Sequence, residues 1–335
     1  MKVCTFNVNT KIGTYSRLGI LIDEKTIIDA NTVWNIHYEK EGRFNSKQRA
    51  NHTLPSSLSK LLQVSDNPIA LLNDTLGKYF DFQKLGLDSS NSGAKLKFTL
   101  KDEDIKLACP LDKITSYRDF YAHEKHVAKG FEKRNEPIPQ EWYEIPAYYK
   151  GSTNGFIGPE DEILWPSYTQ ILDYELELGM IIGKEGKNIS EAQAPNHIFG
   201  FTILNDISAR DIQKKEMKIR LGPAKGKDFC SIMGPVIVTI DEFNHEEPDL
   251  LMTAKINGKE WSRGQSGESH FNFSQMIEHV SKDEWVLPGD FFGSGTVGNG
   301  CGLELDKWIK PGDQIELEVE NIGKLINKVG SPIKN

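Results

Sequence analysis

The run Leu172-Asp173-Tyr174-Glu175-Leu176-Glu177-Leu178 sets the tightest limit on how this chain can fold. Apolar and acidic residues alternate with a period of two, the period of a β-strand. In a strand, residues two apart share a face, with Cα atoms ~6.6 Å apart. Glu175 and Glu177 therefore project side by side, while Tyr174, Leu176 and Leu178 face the opposite layer. Two carboxylates this close in a partly buried site repel unless a cation lies between them. A solvent-facing strand with alternating charges gives the same pattern, so the run alone leaves both readings open. Asp206 favours the cation. It follows an apolar strand, Gly200-Phe201-Thr202-Ile203-Leu204, and a carboxylate at the end of a buried strand needs a partner. Glu175, Glu177 and Asp206 make an all-oxygen set, which suits Mg²⁺, Ca²⁺ or Mn²⁺ and not zinc.

Ser116-Tyr117-Arg118-Asp119-Phe120-Tyr121-Ala122-His123-Glu124-Lys125-His126 reads as a helix over about 118–129, with Ser116 as its cap. Asp119 and His126 are seven apart and would share a helix face two turns separated. A lone histidine is ordinarily a surface or core residue. His123 and His126 lack a third nitrogen or sulfur ligand nearby, which argues against zinc.

Around this stretch the chain is β-dominated. Strand-like runs fall at Glu175–Ile182, Phe199–Leu204, Pro235–Ile240, Leu251–Ile256 and Gln314–Val319, and helical ones at about 191–197, 207–218 and 273–281. Ahead of it, 18–23 and 26–29 form a hairpin, and helices are expected at 55–63, with Pro55 in the first turn, and at 67–80. The expected division is a small β-rich N-terminal domain over 1–110 and a catalytic domain over 111–335. A length of 335 residues supports two such units.

Formal net charge is −8, which argues against a nucleic-acid partner. The apolar runs are far short of a membrane span, and the N-terminus has no leader-like apolar core. Cys4, Cys109, Cys230 and Cys301 are scattered without a C-x-x-C, as expected of reduced thiols in a cytoplasmic protein.

Taken together, several segments resemble the fumarylacetoacetate hydrolase family. They are Asp119-Phe120-Tyr121 with His126; Leu172 to Glu177; His197-Ile198-Phe199-Gly200; and Asn205-Asp206-Ile207-Ser208-Ala209-Arg210-Asp211-Ile212-Gln213. Leu221 to Lys227, Gly293-Ser294-Gly295-Thr296 and Gly302-Leu303-Glu304 follow in the family's order. The resemblance covers about 115–325. It implies an α+β, β-dominated fold, with a mixed β-sandwich or β-roll catalytic domain and a small SH3-like N-terminal domain. It places the metal ligands on Asp119, Glu175, Glu177 and Asp206. The general base falls on His126, and its orienting carboxylate on Glu304. Lys227 and Gln213 match groups that stabilise developing negative charge, and Tyr149 and Thr296 match substrate contacts. It further implies a homodimer with Mg²⁺ or Ca²⁺.

The activity expected from this resemblance is hydrolysis of a carbon–carbon bond in a small diketo acid. Fumarylacetoacetate, as in tyrosine degradation, or an acylpyruvate would be the substrate. Departures lie near the substrate. The segment 129–135 offers Lys133 and Arg134 but no clear match to the family's arginine, and Tyr149 is followed by Lys150-Gly151 without a Gly-Arg pair. The alternative is a superfamily decarboxylase or isomerase of oxaloacetate-like or hydroxydienedioate substrates. The apparent N-terminal domain and His–Glu pair weigh toward hydrolysis. A non-catalytic metal-binding protein would keep the carboxylates and dispense with His126. A glycoside hydrolase needs carboxyls facing each other across a bond ~5–9 Å apart, whereas neighbours on one strand face point the same way.

Overall fold

A computed structural model of the protein describes residues 1–333. The alternating runs build two large sheets, beside two of only two strands each. The larger has 12 strands, and its main path runs Lys97–Thr99, Thr26–Asp29, Gly13–Leu21, Lys2–Thr10, Ser231–Thr239, Ile198–Asp206, Leu176–Ile182, Asp290–Gly293, Ser116–Phe120, Tyr148–Gly151. It is mixed: Asp290–Gly293 runs parallel to Ser116–Phe120, and Leu176–Ile182 runs antiparallel to Ile198–Asp206. The smaller sheet has five strands in the order Lys259–Gln265, Leu251–Ile256, Gln314–Val319, Gly323–Pro332, Glu162–Trp165.

Period two sorts the side chains between two cores. Leu176, Leu178, Met180 and Ile182 pack in one core with Met252, Ala254, Leu317 and Leu325 of the smaller sheet. Ile181, Leu204 and Phe291 belong to a second core on the other face, with Leu58, Leu61 and Leu62. Glu177 has the parity of Ile181 and lies opposite Leu204 in register. The carboxylates thus occupy the face turned away from the smaller sheet.

Local chemistry fixes the element ends. The tight turn before Thr26–Asp29 is closed by Asp23, whose carboxylate accepts from the Lys25 and Thr26 amides, each at 2.8 Å. Helix Pro68–Lys84 starts on an Asn67 cap with Pro68 in the first turn. Helix Phe273–Ser281 opens on a capping box of Asn272 and Gln275.

Several expectations need correction. The N-terminal segment is not a β-rich, SH3-like unit. Its helices Ala30–Lys40, Ser46–Thr53, Leu58–Val64 and Pro68–Lys84 hold more residues than its strands. Its first strand also continues the large sheet, with Lys2 and Val3 opposite Val238 and Ile237. Pro55 precedes its helix, which starts on the Ser57 cap. The helix expected over 118–129 is divided. Ser116–Phe120 is a strand, because both its edges are paired, and the helix is Glu124–Glu132. Ser116 caps nothing, and its hydroxyl donates to Asp290 at 2.7 Å. The helix expected from 207 starts at Arg210, since Ser208–Ala209 pairs with Leu172–Asp173. Among the described residues, no helix is long and apolar enough to cross a membrane.

Candidate active site

Strands of the large sheet deliver the carboxylates. Asp119 comes from Ser116–Phe120, Glu177 from Leu176–Ile182, and Asp206 ends Ile198–Asp206. Glu175 immediately precedes its strand and is bridged to Cys301. One oxygen from each of the four lies within 4.8 Å of the others, and all four side chains are buried. Convergence depends on Gly293. A Cβ there would sit 2.5 Å from Asp119 Oδ1 and 3.0 Å from Glu177 Oε2.

The charges are far from balanced. Burial, and then the charge of Asp206, hold the Asp119 carboxyl well above the usual carboxylate range. Burial and the carboxylates of Asp119, Glu175 and Asp206 do the same to Glu177. Glu175 goes the other way. Burial would raise it, but Lys227 and Arg210 outweigh burial and bring it to about 2. Asp119 Oδ1 is buried with no hydrogen-bond partner. Four clustered oxygens, two of them on carboxyls driven toward protonation and one without a partner, fit a hard divalent cation.

Two buried cations partly offset the cluster. Lys227 Nζ donates to Glu175 Oε2 at 2.5 Å and also to Asp206 Oδ2. Burial would lower the Lys227 pKa, but Asp206 and Glu175 outweigh it and hold it above the ordinary value. Arg210 donates from Nη2 to Glu175 at 2.7 Å, from Nε to Asp173 at 2.8 Å, and from Nη1 to Gln213 Oε1 at 2.9 Å. Gln213 therefore stands one residue back from the carboxylates, behind Arg210.

Tyr149 and Thr296 touch the cluster itself. The Tyr149 hydroxyl donates to Asp206 Oδ2 at 2.7 Å, and Thr296 Oγ1 donates to Glu177 Oε1 at 3.3 Å. Ser231 and the Gly295 amide serve the remaining oxygens of these two carboxylates, at 3.2 and 3.1 Å.

His126 lies in helix Glu124–Glu132, which follows the Asp119 strand after a three-residue connection. Its Nδ1 is 3.0 Å from Glu304 Oε2, off the angle of a hydrogen bond. Glu304 sits in the short helix Gly302–Leu305, not in the strand edge that Leu303-Glu304-Leu305-Asp306 would also suit. Its Oε1 accepts from the Asn299 amide at 2.9 Å and its Oε2 from Cys301 Sγ at 3.3 Å. Burial would raise Glu304, but the adjoining His126 outweighs it and leaves its pKa below the ordinary value. His123 is buried, and burial lowers it to about 3.

The structure thus brings together Asp119, Glu175, Glu177, Asp206, Lys227, Tyr149 and Thr296, and it pairs His126 with Glu304. Sequence reasoning gave no role to Asp173 and Arg210. Asp173 is fully buried and accepts from Arg210 and from the Gly302 and Leu303 amides at 2.7 and 2.9 Å. It therefore ties Glu175, through Arg210, to the helix that carries Glu304. Its signal was present, since Asp173 has the same strand parity as Glu175 and Glu177.

Residues 115–330 match the family model for the fumarylacetoacetate hydrolase C-terminal region. Oxaloacetate tautomerase YisK of Bacillus subtilis is 29% identical over 328 residues, which cover 94% of this chain and 97% of that protein. The mitochondrial oxaloacetate tautomerase FAHD2A of Homo sapiens is 32% identical over 59% of this chain and 62% of its own length. The solved fumarylacetoacetate hydrolase of Exiguobacterium antarcticum superposes with a TM-score of 0.68 at 22% identity, over 98% of this chain and 99% of that one. That likeness carries the strand-rich α+β fold.

The relatives overturn the expected carbon–carbon hydrolase, and with it the expected place in tyrosine degradation. Both relatives compared by sequence are named as oxaloacetate tautomerases. The argument from an N-terminal segment also fails, because the Bacillus tautomerase matches over nearly its whole length with that segment included.

Proposed function

Because the chain belongs to the fumarylacetoacetate hydrolase family, we propose that it is a divalent-cation enzyme that interconverts the keto and enol forms of a small oxo diacid of the oxaloacetate kind. The near full-length likeness to an oxaloacetate tautomerase carries this reading. The groups it needs are present: an imidazole beside a carboxylate, His126 with Glu304, in a fold that also gathers four buried carboxylates.

Asp119, Glu175, Glu177 and Asp206 would hold the cation, Mg²⁺, Ca²⁺ or Mn²⁺, which when bound would supply Lewis acidity toward the keto oxygen and so make the neighbouring C–H more acidic. His126 takes the proton from that carbon, the C–H pair becomes the C=C bond, the carbonyl π pair moves onto the oxygen, and the His126 imidazolium returns the proton to that oxygen. Glu304 stabilises the imidazolium that forms in between. Lys227 adds fixed positive charge beside the developing enolate, and Arg210, held by Gln213, does so one step further out. Tyr149 and Thr296 hold Asp206 and Glu177 in place. The reading extends to a homodimer, which sedimentation would check.

The test is the ultraviolet absorbance of the oxaloacetate enol after mixing. Protein with Mg²⁺ should speed its relaxation toward keto–enol equilibrium, and a chelator should abolish the effect. Relaxation no faster than in Mg²⁺ buffer alone would overturn the proposal.

A further inference from the structure

A second group of ligand-type side chains lies beside the carboxylate cluster. His126, Cys301 and Glu304 each offer one donor atom, all within 4.8 Å of one another. All three side chains are buried, and their donors differ in kind: nitrogen, sulfur and oxygen. His126 Nδ1 is buried and has no hydrogen-bond partner although it lies 3.0 Å from Glu304 Oε2. It points into the group and is left unsatisfied there. Cys301 Sγ reaches the same Oε2 at 3.3 Å, while Oε1 is held by the Asn299 amide.

The two separations to Glu304 Oε2 suit one tetrahedral ion. With bonds of ~2.0 Å to nitrogen and oxygen and ~2.3 Å to sulfur, the tetrahedral edges are ~3.3 Å for N···O and ~3.5 Å for S···O. The N···O and S···O separations of 3.0 and 3.3 Å need to open by only ~0.2–0.3 Å to match.

We propose that His126, Cys301 and Glu304 form a separate site for a thiophilic tetrahedral ion such as Zn²⁺, with the fourth position left to solvent or substrate. Donor chemistry sorts the two sites. Hard ions take the all-oxygen cluster, and a borderline-soft ion takes the mixed set. On binding, the Cys301 S–H bond breaks, its proton passes to solvent, and the sulfur pair forms the bond to the ion. Occupation ties up the proton-transfer pair and shuts off turnover. That consequence rests on the tautomerase reading; the binding itself does not.

Co²⁺ is the probe, added to the whole protein in excess Mg²⁺. One equivalent should give a thiolate-to-cobalt charge-transfer band and the intense visible bands of four-coordination. Cys301→Ser should lose the charge-transfer band while keeping the circular dichroism of the parent. If that variant does not fold, zinc-edge X-ray absorption of the unaltered protein decides the matter, with one sulfur expected at ~2.3 Å. A cobalt spectrum without the charge-transfer band, one that persists in Cys301→Ser, or a zinc shell of oxygen alone overturns the proposal. Each readout is independent of oxaloacetate turnover.

Discussion

Gly293 lies so close beneath Asp119 that a β-carbon on it would sit 2.5 Å from the Asp119 Oδ1. The cluster therefore needs a residue without a side chain on the strand between two of its carboxylates. Gly293→Ala should push Asp119 aside and weaken divalent-cation binding by roughly 10–100-fold, the range seen when the surroundings of metal ligands are disturbed. Titration calorimetry with Mn²⁺ measures this.

Glu177 is held toward its protonated form by burial and by three neighbouring carboxylates. Glu177→Gln mimics that neutral state. The cation-free variant should melt no lower than the parent. A cation at about a hundred times its Kd should add ~2.7 kcal/mol to the parent and almost nothing to the variant. Thermal unfolding with and without chelator compares them.

Asp119 and Glu177 also set the pH dependence, since both pKa values are raised. In the cation-free protein these carboxyls keep protons that the unfolded chain gives up near pH ~4. Their contribution to stability is full below that value and is lost as pH rises through the folded values. Glu175, at about 2, acts oppositely: its contribution is present above the unfolded value and lost as pH falls. Cation binding must displace the retained protons, so affinity should strengthen with rising pH. Calorimetry in buffers of different ionisation heat counts the protons released.

His126→Gln should lower enol–keto exchange by about 10²–10⁴-fold, the usual contribution of a general acid–base group, while cation affinity stays within a few-fold. Glu304→Gln should cost less, because it removes the partner and leaves the imidazole. The enol absorbance assay ranks the two.

Arg210 neutralises both Asp173 and Glu175 in the interior. Arg210→Met leaves the buried Asp173 without its charged partner and Glu175 with Lys227 alone, and should destabilise the protein by about 3–5 kcal/mol. Urea unfolding, with Lys225→Met as an exposed control, gives the difference.

Much of this was legible in the chain itself. The alternation around Glu175 and Glu177 placed both on one strand face, and the apolar run before Asp206 placed it at a strand end. The position of Asp119 was not legible. Ser116–Phe120 carries a local helix pattern, and its pairing on both edges, with Tyr148–Gly151 and with residues some 170 positions later, makes it a strand. Glu304 was named by the resemblance, but its element was not legible, because its alternating neighbours look like a strand and fold as one helical turn. Arg210 and Asp173 were passed over because their worth lies in their bonds to each other and to Glu175, which spacing does not reveal. The activity was misjudged because the catalytic residues alone do not tell tautomerase from hydrolase.

The second core has a consequence for how the protein is made. Leu58, Leu61 and Leu62 emerge from the ribosome well before Phe199, Met233 and Phe291, with which they share a core. Vectorial synthesis thus presents the cover before the surface that needs it, so the nascent catalytic sheet meets a waiting partner. A gene cut near residue 110 would remove that protection and leave an aggregation-prone face bare in the cell.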